Sequence, residues 1–222
     1  VRLREIGDAA LAAFGRDGYR NTQVADVARI AGVAPGTIYL YAPSKEALFA
    51  LALQRAQSQD TDPEPMSSEE LLTRVKEGFL RQSGSSWLTE LRGASGGLPE
   101  LEPVLRTFWA RLTAAAPAIR LIERCARDWP ELAEAFYVHV RQRSIRELAA
   151  YLSEGGRQGV VRPTPEPAVA ARLIIETAAW FALHRQGDPD GYLISDDSAR
   201  EAVIDALLHA YRPDGSLREV RR

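Results

Sequence analysis

Apolar residues recur along this chain at intervals of three and four, the spacing of one face of an α-helix, and no convincing run alternates as a half-buried strand would. Leu3, Ile6, Ala10 and Phe14 predict a first helix. Gly18 is its expected end, because glycine tolerates the left-handed backbone of a helix terminus. Val24, Val27, Ala28 and Ala31 predict a second helix, with Thr22 as cap and Gly32 as stop. Pro35 opens a short segment over 35–40, since a first turn loses nothing by its missing N–H. Ser44 caps a longer helix whose inward stripe is Ala47, Leu48, Leu51 and Ala52. Residues 58–68, polar and twice interrupted by proline, read as a linker. Helical patterns then cover 69–83, 100–115, 118–128, 131–155, 165–185 and 197–211, with breaks at Pro117, at Pro130 and in the Gly- and Pro-rich turn between 155 and 167. The expected fold class is all-α: an N-terminal three-helix helix-turn-helix domain over 1–52, then a second helical domain over 53–222.

Composition narrows the chemistry. With 45% hydrophobic and 26% charged residues among 222, the chain has ordinary globular usage, which excludes disordered and collagen-like classes. Cys125 is the single cysteine, so neither an intramolecular disulfide framework nor a multi-cysteine zinc site can form, and a reducing cytoplasmic location is expected. His139, His184 and His209 lie in separate blocks, and no HExxH, GxSxG, phosphate loop or CxxC appears. The expectation is therefore no metal, no cofactor, no catalytic residue and no enzymatic activity. The longest apolar stretch, 168–183, carries Arg172 and Glu176 and falls short of the roughly 20 residues that span a bilayer, so no membrane association is expected. No secretory pattern opens the chain, which begins at Val1; a short preceding N-terminal arm is expected. The net charge of −2 excludes a general polycation but leaves room for a local DNA-binding face.

That face is sought in residues 22–41, TQVADVARIAGVAPGTIYLY. Two short helices around a Gly-containing turn make a helix-turn-helix, with Val27, Ala28, Val33 and Ile38 packing inward so that the second helix can enter a major groove about 12 Å wide. Thr37, Tyr39 and Tyr41 offer hydroxyls to phosphates, and Lys45, in the first turn of the next helix, approaches the same backbone. The whole stretch from AALAAFGRDGYRNTQ to GTIYLYAPSKEALF closely resembles the N-terminal DNA-binding domain of TetR-family regulators, with Phe14, Gly18, Tyr19 and Thr22 in family positions. The resemblance covers about 50 residues and makes Pro35–Tyr41, including Gly36, the recognition helix. It implies groove or phosphate contacts from Thr22, Thr37, Tyr39, Tyr41 and Lys45, with Gln23 and Leu40 where base-edge readout varies. Three residues depart from the family pattern. Ala34 stands where a capping Ser or Thr is frequent, Ala42 where an aromatic is frequent, and Leu40 where a polar residue is; Leu40 can touch a thymine methyl but cannot hydrogen-bond a base. Residues 1–50 hold six Lys/Arg against five Asp/Glu, modest for a DNA reader, so two copies or the N-terminal arm are needed.

The resemblance further implies a cytoplasmic transcriptional regulator, a repressor acting as a homodimer on a palindromic double-stranded operator. The dimer would form through 131–155 and 165–185, where Val138, Ile145 and Leu152 recur at sevens and the second segment is apolar almost all round. Large aromatics concentrate in the middle of the chain: Phe79, Trp87, Phe108, Trp109, Trp129, Phe136 and Tyr137. They suggest a mostly apolar pocket for a hydrophobic or amphipathic inducer, with Phe79, Trp109, Tyr137 and His139 as ligand contacts and 53–222 as a ligand-binding and dimerisation domain. Two other readings stay open: a helical enzyme or carrier bearing a helix-turn-helix-like element, and a regulator with no small-molecule inducer.

Overall fold

The computed structural model describes residues 2–58, 62–77 and 98–213, and every regular element among them is helical. Packing divides the chain into two compact units: Val1–Leu80 with Ala114–Arg141, and Arg81–Thr113 with Gln142–Arg222.

The first unit begins with α1 (Arg2–Asn21), whose buried face is Ile6, Ala9, Ala10, Ala13 and Phe14. Gly18, at φ 78 and ψ 177, breaks the helical backbone as expected, and a short further turn follows it to Asn21. The short helices α2 (Val24–Ile30) and α3 (Pro35–Tyr41) follow, then α4 (Lys45–Gln57). Ser44 caps α4 as expected, accepting a hydrogen bond from the Ala47 N–H at 3.1 Å. The predicted inward stripe widens to a continuous run, Ala47–Leu53, because α4 packs against both α1 and α5 (Ser68–Glu77). Arg55 locks the α1–α4 pair: its buried guanidinium donates to Asp8 at 2.7 Å, and its stem runs where a Cβ on Gly7 would stand 2.7 Å from Cγ. The described part of the linker is tied down. The Gln54 side-chain amide donates to the Glu64 carbonyl at 2.8 Å and accepts from its N–H at 2.9 Å. Ser67 and Glu70 then form a reciprocal capping box at the start of α5.

Pro117 is not the break expected of it. It lies inside α6 (Leu101–Ala126), where its missing N–H deprives the Thr113 carbonyl of an i+4 partner, and the buried neighbours Ala116 and Ala118 keep the helix continuous. Residues 101–113 of α6 belong to the second unit and 114–126 to the first. Pro130 does interrupt the chain, at the first position of α7 (Pro130–Ala133), which runs into a π-helical stretch, Glu134–Arg141.

In the second unit α8 (Gln142–Gln158) packs along α9 (Pro167–Ala179), which continues through a π-helical turn, Trp180–His184, and α10 (Asp196–Tyr211) closes the set. Val138 lies in the π-helical stretch, so its seven-residue recurrence with Ile145 and Leu152 is not one α-helical face. Helix α9 has two apolar sides. Ala170, Ala171, Ile174, Ile175 and Ala178 are buried, whereas Val169, Leu173 and Trp180 are exposed. Among the described residues no helix is long and apolar enough to cross a membrane.

Candidate nucleic-acid interface

The turn between α2 and α3 is built by the chain's own backbone. Gly32, at φ 66, donates to the Arg29 carbonyl at 3.3 Å, and Val33 donates to the Ala28 carbonyl at 3.0 Å; the two bonds form a Schellman motif that closes α2. Val27, Ala28 and Ile38 are buried as predicted, and Val33 is half-buried. These contacts set α3 on α2. Helix α3 starts at Pro35 with Ala34 as an N-cap that makes no side-chain bond, in keeping with the absent Ser or Thr.

The outer side of α3 is open. Leu40 is 81% exposed and Tyr39 54%, Pro35 and Gly36 are exposed, and Thr37 and Tyr41 are half-exposed. Gln23, exposed, is the N-cap residue of α2, the place the sequence reading gave to Thr22. Thr22 itself is turned inward, 1% exposed. Its hydroxyl donates to the Gly18 carbonyl at 2.7 Å and also approaches that of Ala13 at 3.3 Å, and its N–H bonds to Gly18 at 3.3 Å. A hydroxyl spent on the last turn of α1 is not offered to a phosphate; Thr22 instead stitches the Gly18 kink.

Lys45 is half-buried beside this surface. Its Nζ donates to the Arg20 carbonyl at 3.2 Å, satisfying one of the orphan acceptors at the end of α1, and stands 4.8 Å from the centre of the Tyr19 ring. Burial holds its amine below the ordinary lysine value. The Tyr19 hydroxyl donates to Glu46 at 2.7 Å. Burial pushes the Glu46 carboxyl up, but the bonds from Tyr19, its own backbone and Ser44, with the Lys45 charge, leave it below the usual range.

Behind these residues lies a cluster of four rings: Phe14, Tyr19, Phe49 and Trp129. Tyr19 and Trp129 are 4.7 Å apart between centroids, and Phe49 meets Trp129 edge-on at 5.5 Å. Trp129, grouped by sequence with a ligand pocket, thus packs into the helix-turn-helix unit. The chain just before it clasps the end of α1. Arg124 donates to the Arg16 carbonyl at 3.0 Å, Asp128 accepts from the Arg20 N–H at 3.2 Å, and the Cys125 thiol faces the Phe14 carbonyl at 3.8 Å. Burial pushes that thiol up to about 12, so Cys125 is a packing residue rather than a nucleophile. No spacing rule links residues 110 positions apart, which is why sequence reasoning missed this clasp.

The proposed ligand contacts do not all fall in one unit. Trp109 is buried in the part of α6 that belongs to the second unit. Tyr137 and His139 lie in the π-helical stretch of the first. Tyr137 stacks edge-on against Phe136, and His139 stands 4.0 Å from Glu134. Phe79 and Trp87 lie outside the described residues. Arg106 is engaged at the surface with Glu102 and Glu201. Among the described residues no group of His, Cys, Asp and Glu could hold a metal.

Residues 6–52 match the model of the bacterial regulatory proteins of the tetR family. Over 45 residues the chain is 47% identical to the fatty acid metabolism regulator protein of Bacillus subtilis, a match that spans 20% of this chain and only 23% of that protein. Over 187 residues, 84% of this chain and 71% of the relative, it is 26% identical to the HTH-type transcriptional regulatory protein RaaS of Mycobacterium tuberculosis. A transcriptional regulator of Saccharomonospora viridis, solved in complex with choline, shares the fold with a TM-score of 0.58 at 18% identity, over 94% of this chain and 96% of that one. An exposed short helix on a Schellman turn thus lies within the segment, residues 6–52, that matches the tetR family model, in a chain that shares its fold with a solved transcriptional regulator.

Proposed function

We propose that the protein is a cytoplasmic, non-catalytic repressor that binds a palindromic operator as a homodimer and is released by a hydrophobic or amphipathic small molecule. The observation that carries the DNA-binding part is the exposure of α3 after a hydrogen-bonded turn, which supports major-groove contacts from Gln23, Gly36, Thr37, Tyr39, Leu40 and Tyr41, with Lys45 on the phosphate backbone. Residues 1–52 are read as the DNA-binding domain and 53–222 as the domain of ligand binding and dimerisation. The exposed Val169 and Leu173 on α9, with Trp180 at the start of the π-helical turn that follows, support pairing through 165–185. The choline complex of the Saccharomonospora viridis regulator supports a small-molecule ligand, because a protein of this fold is solved holding a small molecule. The fatty-acid name of the Bacillus relative rests on 45 matched residues and carries no ligand to this chain. Trp109, Tyr137 and His139 fall in different units and are candidates to be substituted one at a time.

Selection of duplexes from random DNA by the purified protein tests this reading. A recovered palindrome is expected; recovery of no preferred sequence contradicts operator recognition. On any duplex, Lys45→Ala should weaken binding about equally for all sequences and reduce the salt slope, d log K/d log[salt], by about 1. An unchanged slope removes Lys45 from the phosphate contacts.

A further inference from the structure

Residues 128 and 129 lie between α6 and α7, far in sequence from α3, yet two short routes run from them to Lys45. The first passes through one residue of the backbone. The Asp128 carboxylate accepts from the Arg20 N–H at 3.2 Å, and the Arg20 carbonyl accepts from Lys45 Nζ at 3.2 Å. The second passes through one ring: Trp129 packs on Tyr19 at 4.7 Å, and Lys45 stands over the same ring at 4.8 Å. Tyr19 has little freedom to adjust alone, since its hydroxyl is bound to Glu46 and its ring also touches Phe14 and Phe49. All of these groups belong to one compact unit.

We propose that Asp128 and Trp129 are positioning residues for the DNA contact of Lys45, holding its ammonium in place through the Arg20 peptide and the Tyr19 ring. The inference rests on the reading of Lys45 as a phosphate ligand. Its physical content is that a lysine side chain has a flexible four-carbon stem, and ordering it costs entropy each time DNA is bound. Two fixed supports, a carbonyl acceptor and a ring face, spend that entropy in the free protein. Asp128 also brings a negative charge near the lysine, which by itself opposes DNA. Positioning and simple charge therefore predict opposite signs for its removal.

The test compares pairs of substitutions on a mixed-sequence 30-base-pair duplex across a salt series. Asp128→Ala and Asp128→Asn both remove the charge, but asparagine keeps an acceptor oxygen for the Arg20 N–H. Asp128→Ala is expected to bind the duplex several-fold more weakly than Asp128→Asn, and Trp129→Ala more weakly than Trp129→Phe, which keeps a ring on Tyr19. In a Lys45→Ala background both differences should vanish, because the group being positioned is gone. NMR titration of the Lys45 amine reads the positioning without DNA: between variants of equal charge, its value should lie closer to that of an ordinary lysine in Asp128→Ala than in Asp128→Asn, and in Trp129→Ala than in Trp129→Phe. If Trp129→Ala fails to fold by circular dichroism, the Asp128 pair decides alone. Equal affinities of Asp128→Ala and Asp128→Asn overturn the proposal, as do differences that persist without Lys45 or a Lys45 titration that is the same within each pair. A Lys45→Ala variant that binds DNA like the wild type fails the underlying phosphate contact instead, and the NMR readout then still reports whether Asp128 and Trp129 hold the lysine.

Discussion

Gly18 and Gly32 both sit at positive φ, but for different reasons and at different cost. Gly32 occupies the position of a helix-terminating Schellman motif, and a Cβ there would meet no atom within 4 Å. Gly32→Ala should therefore lose only the backbone preference, about 1 to 2 kcal/mol, and Gly32→Asn less, since asparagine tolerates the left-handed region. Gly18 combines φ 78 with ψ 177, a conformation almost reserved to glycine, so Gly18→Ala should cost more, up to about 3 kcal/mol. Urea unfolding of the three variants ranks them. Glu46 gives an acid signature at the same scale. Its carboxyl in the folded protein lies below its ordinary value, so its stabilising contribution is complete above that value and is lost as pH falls through the lowered one. Between about pH 5 and pH 2 the wild type should lose stability more steeply than Glu46→Gln, which has no charge to lose. Parallel pH profiles of the urea midpoint contradict this.

Helix α9 carries apolar residues on both a buried and an exposed side. Ile174 is fully buried within its unit, whereas its neighbour Leu173 is 56% exposed. A charge at Ile174 buries an unpaired ion and should unfold the chain, at a cost of several kcal/mol. Leu173→Lys leaves the interior untouched and, on the proposed homodimer reading, should yield a folded monomer. Light scattering combined with circular dichroism separates the two outcomes, and a dimeric Leu173→Lys removes this face from the interface. The apolar periodicity of 165–185 was legible in the sequence, but which side faces the core was not, since both sides are apolar. Pro117 illustrates the opposite error. Proline is a breaker by its own chemistry, and the buried helix around it absorbs one lost hydrogen bond.

For the whole molecule, ligand response is a linkage between two binding events. An inducer present at about 100 times its dissociation constant should stabilise the fold by roughly 2.7 kcal/mol. It can weaken the operator complex only by its differential affinity for the two states, typically about 1 to 3 kcal/mol. A compound that raises the melting temperature and also lowers operator affinity is the expected result of a screen run with and without DNA. Compounds that raise melting with no effect on DNA affinity contradict an inducer role.

Elements set by local chemistry could be read from the chain alone. The Ser44 cap, the Pro35 start, the Gly32 stop and the buried trio Val27, Ala28 and Ile38 each depend on residues within a turn or two of one another, so their spacing encodes them. The helix-turn-helix was legible for the same reason. The inward turn of Thr22 is also local, a bond to Gly18 four residues back, but only the tertiary structure decided that Lys45 rests on Tyr19 and Arg20 and that Trp129 joins the ring cluster of the first unit. Those outcomes depend on which distant segment covers the end of α1. Hydrophobic burial selects a ring of suitable size and does not depend on its place in the chain, so the partnership of Trp129 with Tyr19 exists in the packing and in no local pattern.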